Sequence, residues 1–183
     1  MRRIVALLAV IGLLTATAAV VYAETATVTI TAGTLSVTKA NVTLSGVVLD
    51  GTDQAATSAS GSNSWAAEDA RGTGVGWHLT IDATDFTDAG KTINISAADQ
   101  EFKIQLLDGN IAVVAGNTKP TSSVTSLMAI PEAPASALTF ASAGLNQGMG
   151  SYTLNPNFEL EVPAATLAGN YSSTITVSAV SGP

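Results

Sequence analysis

Trp77-His78-Leu79-Thr80-Ile81-Asp82 is the stretch from which the fold class is read. Side chains two apart on an extended chain point the same way. Trp77, Leu79 and Ile81 therefore share an apolar face, and His78, Thr80 and Asp82 share a polar one. The same alternation recurs on both sides. Downstream, Phe102, Ile104 and Leu106 oppose Glu101, Lys103 and Gln105, and Phe158, Leu160 and Val162 oppose Glu159 and Glu161. Tyr171, Ser173, Ile175, Val177 and Ala179 alternate with Ser172, Thr174, Thr176 and Ser178. Upstream, Ala26 to Thr31 alternates with threonine, Leu35 and Val37 continue after a tight turn at Ala32-Gly33, and Val42 to Leu49 is a third run. No segment after residue 23 carries a sustained helical stripe, and Ser64 to Arg71 reads equally as one helical turn or a loop. Roughly nine to eleven short strands imply an all-β, single-domain, two-sheet antiparallel β-sandwich of Ig-like or Greek-key type. Its expected core holds Trp77, Leu79, Ile81, Phe102, Ile104, Leu106, Phe158, Leu160, Tyr171 and Ile175. The longest non-strand stretches, Gly51 to Gly74 and Gly116 to Ser136, are candidate binding loops.

The N-terminal stretch sets the compartment. Arg2 and Arg3 precede an apolar run from Ile4 to Val21, and Val21-Tyr22-Ala23 offers the small residues that a signal peptidase reads. We expect residues 1–23 to be a signal peptide cleaved before Glu24, leaving residues 24–183 as one extracellular domain. A retained membrane anchor is the rival reading, and the alanines and threonines within the run weigh against it. Without Arg2 and Arg3, five basic residues face 14 acidic ones, a net charge of about −9. Such a surface repels nucleic acid and anionic lipid, so neither a nucleic-acid partner nor stable membrane insertion after cleavage is expected. The 183 residues include no cysteine, which removes disulfides, a thiol nucleophile, thiolate metal sites and a lipoprotein anchor.

Catalytic and cofactor chemistry finds little footing. His78 is the single histidine, and no spacing singles out a carboxylate pair of the glycosidase kind. Asp82, Asp85 and Asp88 supply hard oxygen ligands of the type Ca²⁺ takes, but their spacing does not match an EF-hand loop, and a solvated turn is the simpler reading. A non-catalytic protein without metal or cofactor is expected. A secreted hydrolase would instead need an organised polar pocket around His78 or a carboxylate pair.

The most specific feature is an ordered series of motifs. Asp69-Ala70-Arg71-Gly72-Thr73-Gly74-Val75-Gly76-Trp77-His78-Leu79-Thr80 is followed by Asp85-Phe86. Gly148-Met149-Gly150-Ser151-Tyr152, Leu160-Glu161-Val162-Pro163, Ala168-Gly169-Asn170-Tyr171 and a closing Ser181-Gly182-Pro183 come later. In this order the series resembles the WxL domain of bacterial cell-surface proteins, and the resemblance covers essentially all of residues 24–183. It implies noncovalent attachment to the peptidoglycan wall, with peptidoglycan or another cell-wall polymer as ligand and other surface proteins as partners. The alternative is a structural or assembly subunit that binds a partner protein rather than the wall. The chain departs from the family pattern at Val177 and Ala179, where a second Trp-x-Leu is usual.

The candidate binding residues are Trp65, Asp69, Arg71, Trp77 and Leu79. Trp77 and Leu79 either pack the core, with Gly72, Gly74 and Gly76 letting the backbone turn in against the ring, or form an exposed platform for sugar rings. Trp65, a lone aromatic in a Ser/Gly/Asn-rich stretch, is the better candidate for an exposed contact. Asp69 and Arg71 either clamp the glycine-rich loop or leave Arg71 to receive a wall carboxylate or phosphate, which its planar fork suits.

Overall fold

The computed structural model describes residues 25–134 and 136–183. The expected signal peptide, residues 1–23, lies outside the described residues. Thr25 to Ile30 belong to an N-terminal unit and themselves form no strand, and the second unit runs from Thr31 to Pro183.

Fourteen strands and no α-helix make up the described chain. They are β1 (Leu35–Thr38), β2 (Gln54–Thr57), β3 (Trp65–Asp69), β4 (Trp77–Ala83), β5 (Phe86–Asp88), β6 (Lys91–Ile93), β7 (Phe102–Gln105), β8 (Ile111–Gly116), β9 (Thr121–Ser122), β10 (Met128–Ala129), β11 (Leu138–Ala143), β12 (Gly150–Leu154), β13 (Asn157–Val162) and β14 (Ile175–Ser181). A single 3₁₀ turn covers Asp108–Asn110. The expected all-β, antiparallel character is what the structure shows. Pairing divides the strands into three four-stranded sheets, ordered β1-β3-β12-β8, β10-β7-β13-β2 and β14-β4-β11-β9, with β5-β6 as a separate ribbon. Two sheets were the expectation, and proline explains part of the difference. It has no N–H to donate to a ladder, and it stands where the chain leaves one sheet for another. Pro120 separates β8 from β9, and Pro156 separates β12 from β13.

The strand β4 reads as its alternation requires. Trp77, Leu79, Ile81 and Ala83 are buried, and the residues between them are partly exposed. Its neighbours make room for the indole with small residues: Trp77 is in register with Ser181 on β14 and Ala143 on β11, and Leu79 with Ala179 and Ala141. Large opposite small is how facing positions fill without voids. Five rings then run from sheet to sheet. Phe86 meets Phe102 edge-on at 5.0 Å, and Phe102 stacks on Phe158 at 5.6 Å. Phe158 lies 5.5 Å from Trp65, which meets Phe140 edge-on at 5.9 Å.

Several expectations are corrected. Trp65 is 1% exposed and central to the core, because Ser64 to Arg71 is neither helical turn nor loop but contains β3. Trp65, Ala67 and Asp69 face inward there, with Ala66 and Glu68 outward. Ala26 to Thr31 forms no strand. Val42 to Leu49 pairs only at Leu44, bridged to Ser58, and at Ser45, whose N–H donates to Thr57 O at 2.8 Å. Gly46 shifts the phase of that run, so Val42, Leu44 and Val47 pack against the core where strict alternation would send Gly46 inward. Tyr171 and Ile175 are half-buried, Ile175 opening the edge strand β14 and Tyr171 preceding it. The other eight expected core residues are buried. The two long stretches are also not loops throughout: the first holds β2 and β3, the second β9 and β10.

Replacing Trp65 by Ala removes the ring that touches both Phe140 and Phe158. The expected cost is about 3–5 kcal/mol of stability, read as a fall in melting temperature. In the native protein both tryptophans should show blue-shifted emission resistant to acrylamide. An acrylamide-accessible indole or an unchanged melting temperature would refute the placement of Trp65.

Candidate functional site

Part of the motif series, from Asp69 to Trp77 with Gly148 and Ser181, meets around the start of β4, whereas Phe86, Leu160, Val162 and Ala168 to Tyr171 line a cleft that none of those residues borders. Asp69 closes β3 with its side chain buried, and Arg71 turns back onto it. Arg71 Nε donates to Asp69 Oδ1 at 2.8 Å and Arg71 Nη2 to Asp69 Oδ2 at 2.9 Å, a bidentate pair. The same guanidinium donates to Gly76 O at 2.8 Å and to Ser181 Oγ at 2.6 Å. Gly182 N–H also donates to Gly76 O, at 3.0 Å. The pair thus fastens the glycine-rich loop to the closing Ser-Gly-Pro. Four donor contacts to the protein occupy most of the five N–H groups of Arg71. The side-chain hydrogen bonds from Arg71, working against burial, hold the Asp69 carboxyl below the usual carboxylate range, and Asp69 in turn raises Arg71.

Beside this clamp the Trp77 ring is enclosed by the Gly144–Gly150 loop. Its Nε1–H donates to Gly148 O at 2.8 Å. Gly148 sits at φ +66°, and a Cβ there would stand 2.7 Å from Trp77 Nε1, so only glycine fits. Gly76, at φ +76°, is under the same restriction because a side chain would strike the backbone of Ala143 and Gly144. Asn117 ties this loop to the end of β8 and escaped the sequence reading. Its Nδ2 donates to Asn146 O at 2.7 Å, and its Oδ1 accepts from Met149 N–H at 3.0 Å and Tyr152 O–H at 3.2 Å. The signal available was an Asn directly after a glycine at a strand end, a common turn pair. Burial pushes the Tyr152 phenol up.

Trp65, Trp77 and Leu79 are each 1% exposed or less, and Asp69 is 3% exposed. Asp69, Arg71, Trp77 and Leu79 are brought together at one end of β4, while Trp65 lies at the opposite end of β3 from Asp69. Asp85 accepts from Ile95 N–H at 3.0 Å, and Asp88 pairs with Lys91 at 3.3 Å.

What reaches the surface is the reverse face of β4. His78 stands between Val180 of β14 and Ser142 of β11, and Thr80 between Ser178 and Thr139. Asp82 is in register with Thr176. His78 Nδ1 lies 2.8 Å from Gly182 O, so that nitrogen carries the proton, and Nε2 is an acceptor in the neutral ring. This side of the sheet carries hydroxyls, one imidazole, one carboxylate and the exposed side chain of Val180.

Removing one partner of a buried ion pair strands the other. We expect Arg71→Ala to cost roughly 3 kcal/mol and to loosen the C-terminal residues, read as faster amide exchange at Gly182. Because the folded value for Asp69 is depressed, its stabilising contribution is complete above the unfolded pKa of about 3.9 and disappears as pH falls through the lower folded value. Asp69→Asn should therefore be less stable at neutral pH, with a smaller loss of stability on acidification. An equally steep acid limb in that variant would contradict the linkage.

A search of curated proteins finds no match to the chain. The family described as "WxL domain surface cell wall-binding" matches residues 25–183, every motif segment included. The chain belongs to the WxL family of surface, cell-wall-binding domains.

Proposed function

We propose that this protein is a non-catalytic extracellular surface protein that attaches noncovalently to peptidoglycan through the outward face of β4 and its neighbours. The observation that carries the reading is the two-sided strand β4. Trp77 and Leu79 lie inside, and their burial presents His78, Thr80 and Asp82 on the opposite side beside Thr176, Ser178, Thr139 and Ser142. Hydroxyls and an imidazole spaced along paired strands suit the hydroxyl and amide groups of a glycan carrying short peptides. Trp65, Asp69, Arg71, Trp77 and Leu79 act in this reading as positioning residues, holding the strand that presents the face. The chain reaches the wall by cleavage of residues 1–23 and then functions as one domain, residues 24–183, with its sheets closed on a common core as a sandwich.

Charge bears on how the contact forms. An acidic protein approaching a wall with anionic polymers meets long-range repulsion, which salt screens. Binding then rests on short-range hydrogen bonds.

Purified protein of residues 24–183 should co-sediment with peptidoglycan stripped of secondary polymers, with retention steady or rising from low to physiological salt. The double variant Thr80→Val, Ser178→Ala should keep its melting temperature and lose most of the retention. Collapse of binding at modest salt would mean an ionic attraction and overturn the charge reasoning. Retention by washed surface proteins, with none by stripped peptidoglycan, would favour the assembly-subunit reading.

A further inference from the structure

Two uncharged features that expose aliphatic side chains have no partner among the described residues. The first is a cleft of about 670 Å³ between the Val42–Leu49 segment and the residues running from Thr166 to Ser173. Its floor is the core itself, seen at Phe86, Ile93, Phe102, Leu160 and Val162, and no charged side chain lines it. Leu49 and Leu167 stand exposed on its lips, so the apolar surface continues out of the cleft. Contiguous exposed apolar surface of this kind marks a contact site more often than a bare surface. One lip also has backbone to spare, since Val42 to Leu49 pairs with other described residues only around Leu44 and Ser45.

The second feature is Ala26-Thr27-Val28-Thr29-Ile30-Thr31. It has the alternation of a strand and forms none, leaving Val28 84% and Ile30 89% exposed. No charged residue occurs between Thr25 and Thr38. A strand of six residues spans about 20 Å, a length comparable to the incompletely paired segment along the cleft. Segment and cleft complement each other in three respects. Both are neutral in a strongly acidic chain, both expose aliphatic side chains, and both have backbone that lies in none of the described strands.

We propose that the cleft receives the Ala26–Thr31 segment of a second copy of this chain, with Val28 and Ile30 on the apolar floor and the backbone added as a strand beside Val42–Leu49. This is strand addition, in which main-chain hydrogen bonds hold the segment and alternate side chains fill pockets. Neutrality matters because two copies, each near −9, repel one another at long range. Association is then least opposed where neither surface carries charge. Joined copies would also engage a repetitive wall at several points at once, raising retention without any new contact.

Sedimentation velocity on protein of residues 24–183 tests this with two variants that alter only exposed side chains. Val28→Asp with Ile30→Asp removes the donor, and Leu167→Asp spoils the acceptor. The unmodified protein should sediment as dimers or longer assemblies at its highest soluble concentration, and more so with added salt. Each variant alone should be monomeric with an unchanged melting temperature. Mixing the two should restore association as a dimer and nothing larger, because only one intact segment and one intact cleft meet. A protein that is monomeric at every concentration would overturn the proposal, as would variants that associate undiminished or a mixture that stays monomeric. A lower melting temperature of monomeric Val28→Asp, Ile30→Asp protein would show that the segment packs on its own chain.

Discussion

The contact on which the rest of this structure depends is the run of rings through Trp65. With no cysteine in the chain, no disulfide cross-links one sheet to another. Phe86 comes from the β5-β6 ribbon, Phe102 and Phe158 from the sheet centred on β7 and β13, Trp65 from that of β3 and β12, and Phe140 from that of β4 and β11. Trp65 is the ring at which these sheets meet. The demand on it is heightened by topology. Every ladder in the four-stranded sheets joins strands that are not consecutive in the chain, and only β5-β6 is a hairpin. Loop-closure entropy must be overcome before such ladders form, so a large, well-packed apolar cluster has to offset it.

The clamp of Asp69 and Arg71 serves a narrower purpose. A buried ion pair adds little net stability over apolar packing, but a half-broken one is costly, so the pair is useful where it fixes a unique arrangement. Here it ties the end of β3 and the nearby backbone of Gly76 to the hydroxyl of Ser181, 110 residues from Arg71. The departure at Val177 and Ala179 falls close to it. Both residues are in register with the motif strand, opposite Ile81 and Leu79, and pack partly against the core. Loss of a second aromatic there changes the packed side of β14 and leaves the hydroxyls of Thr176 and Ser178 in place.

How far the sequence could be read follows from where side-chain size carries the signal. Strands with large alternating residues, such as Trp77-Leu79-Ile81 and Phe158-Leu160-Val162, announced both their type and their buried face. The strand β3 did not, because between Trp65 and Asp69 the inward position is only Ala67, and alanine alternating with alanine carries no period. Nothing in the alternation around Trp65 therefore points its ring inward. Ala26 to Thr31 is the opposite case, since its alternation is clear but no described strand pairs with it. The clamp was visible as a possibility in two opposite charges flanking one residue, while its third partner, Ser181, could not be found from local spacing at all. The hydroxyl-bearing face was equally out of reach, because it exists only through the register of β14 and β11 on β4.

That register joins the buried motif to the exposed face. On a strand the two faces are inseparable: a slip of one residue would bring His78, Thr80 and Asp82 into the core and push Trp77, Leu79 and Ile81 into water. The indole of Trp77 makes such a slip prohibitive. Its ring needs the small residues Ala143 and Ser181 beside it, Gly148 above it and the Gly148 carbonyl for its N–H. No neighbouring position offers that combination. A Trp-x-Leu pair can therefore matter to a surface-binding domain without touching a ligand. It fixes which hydroxyls stand side by side, and at what spacing, on the side of the sheet that solvent can reach.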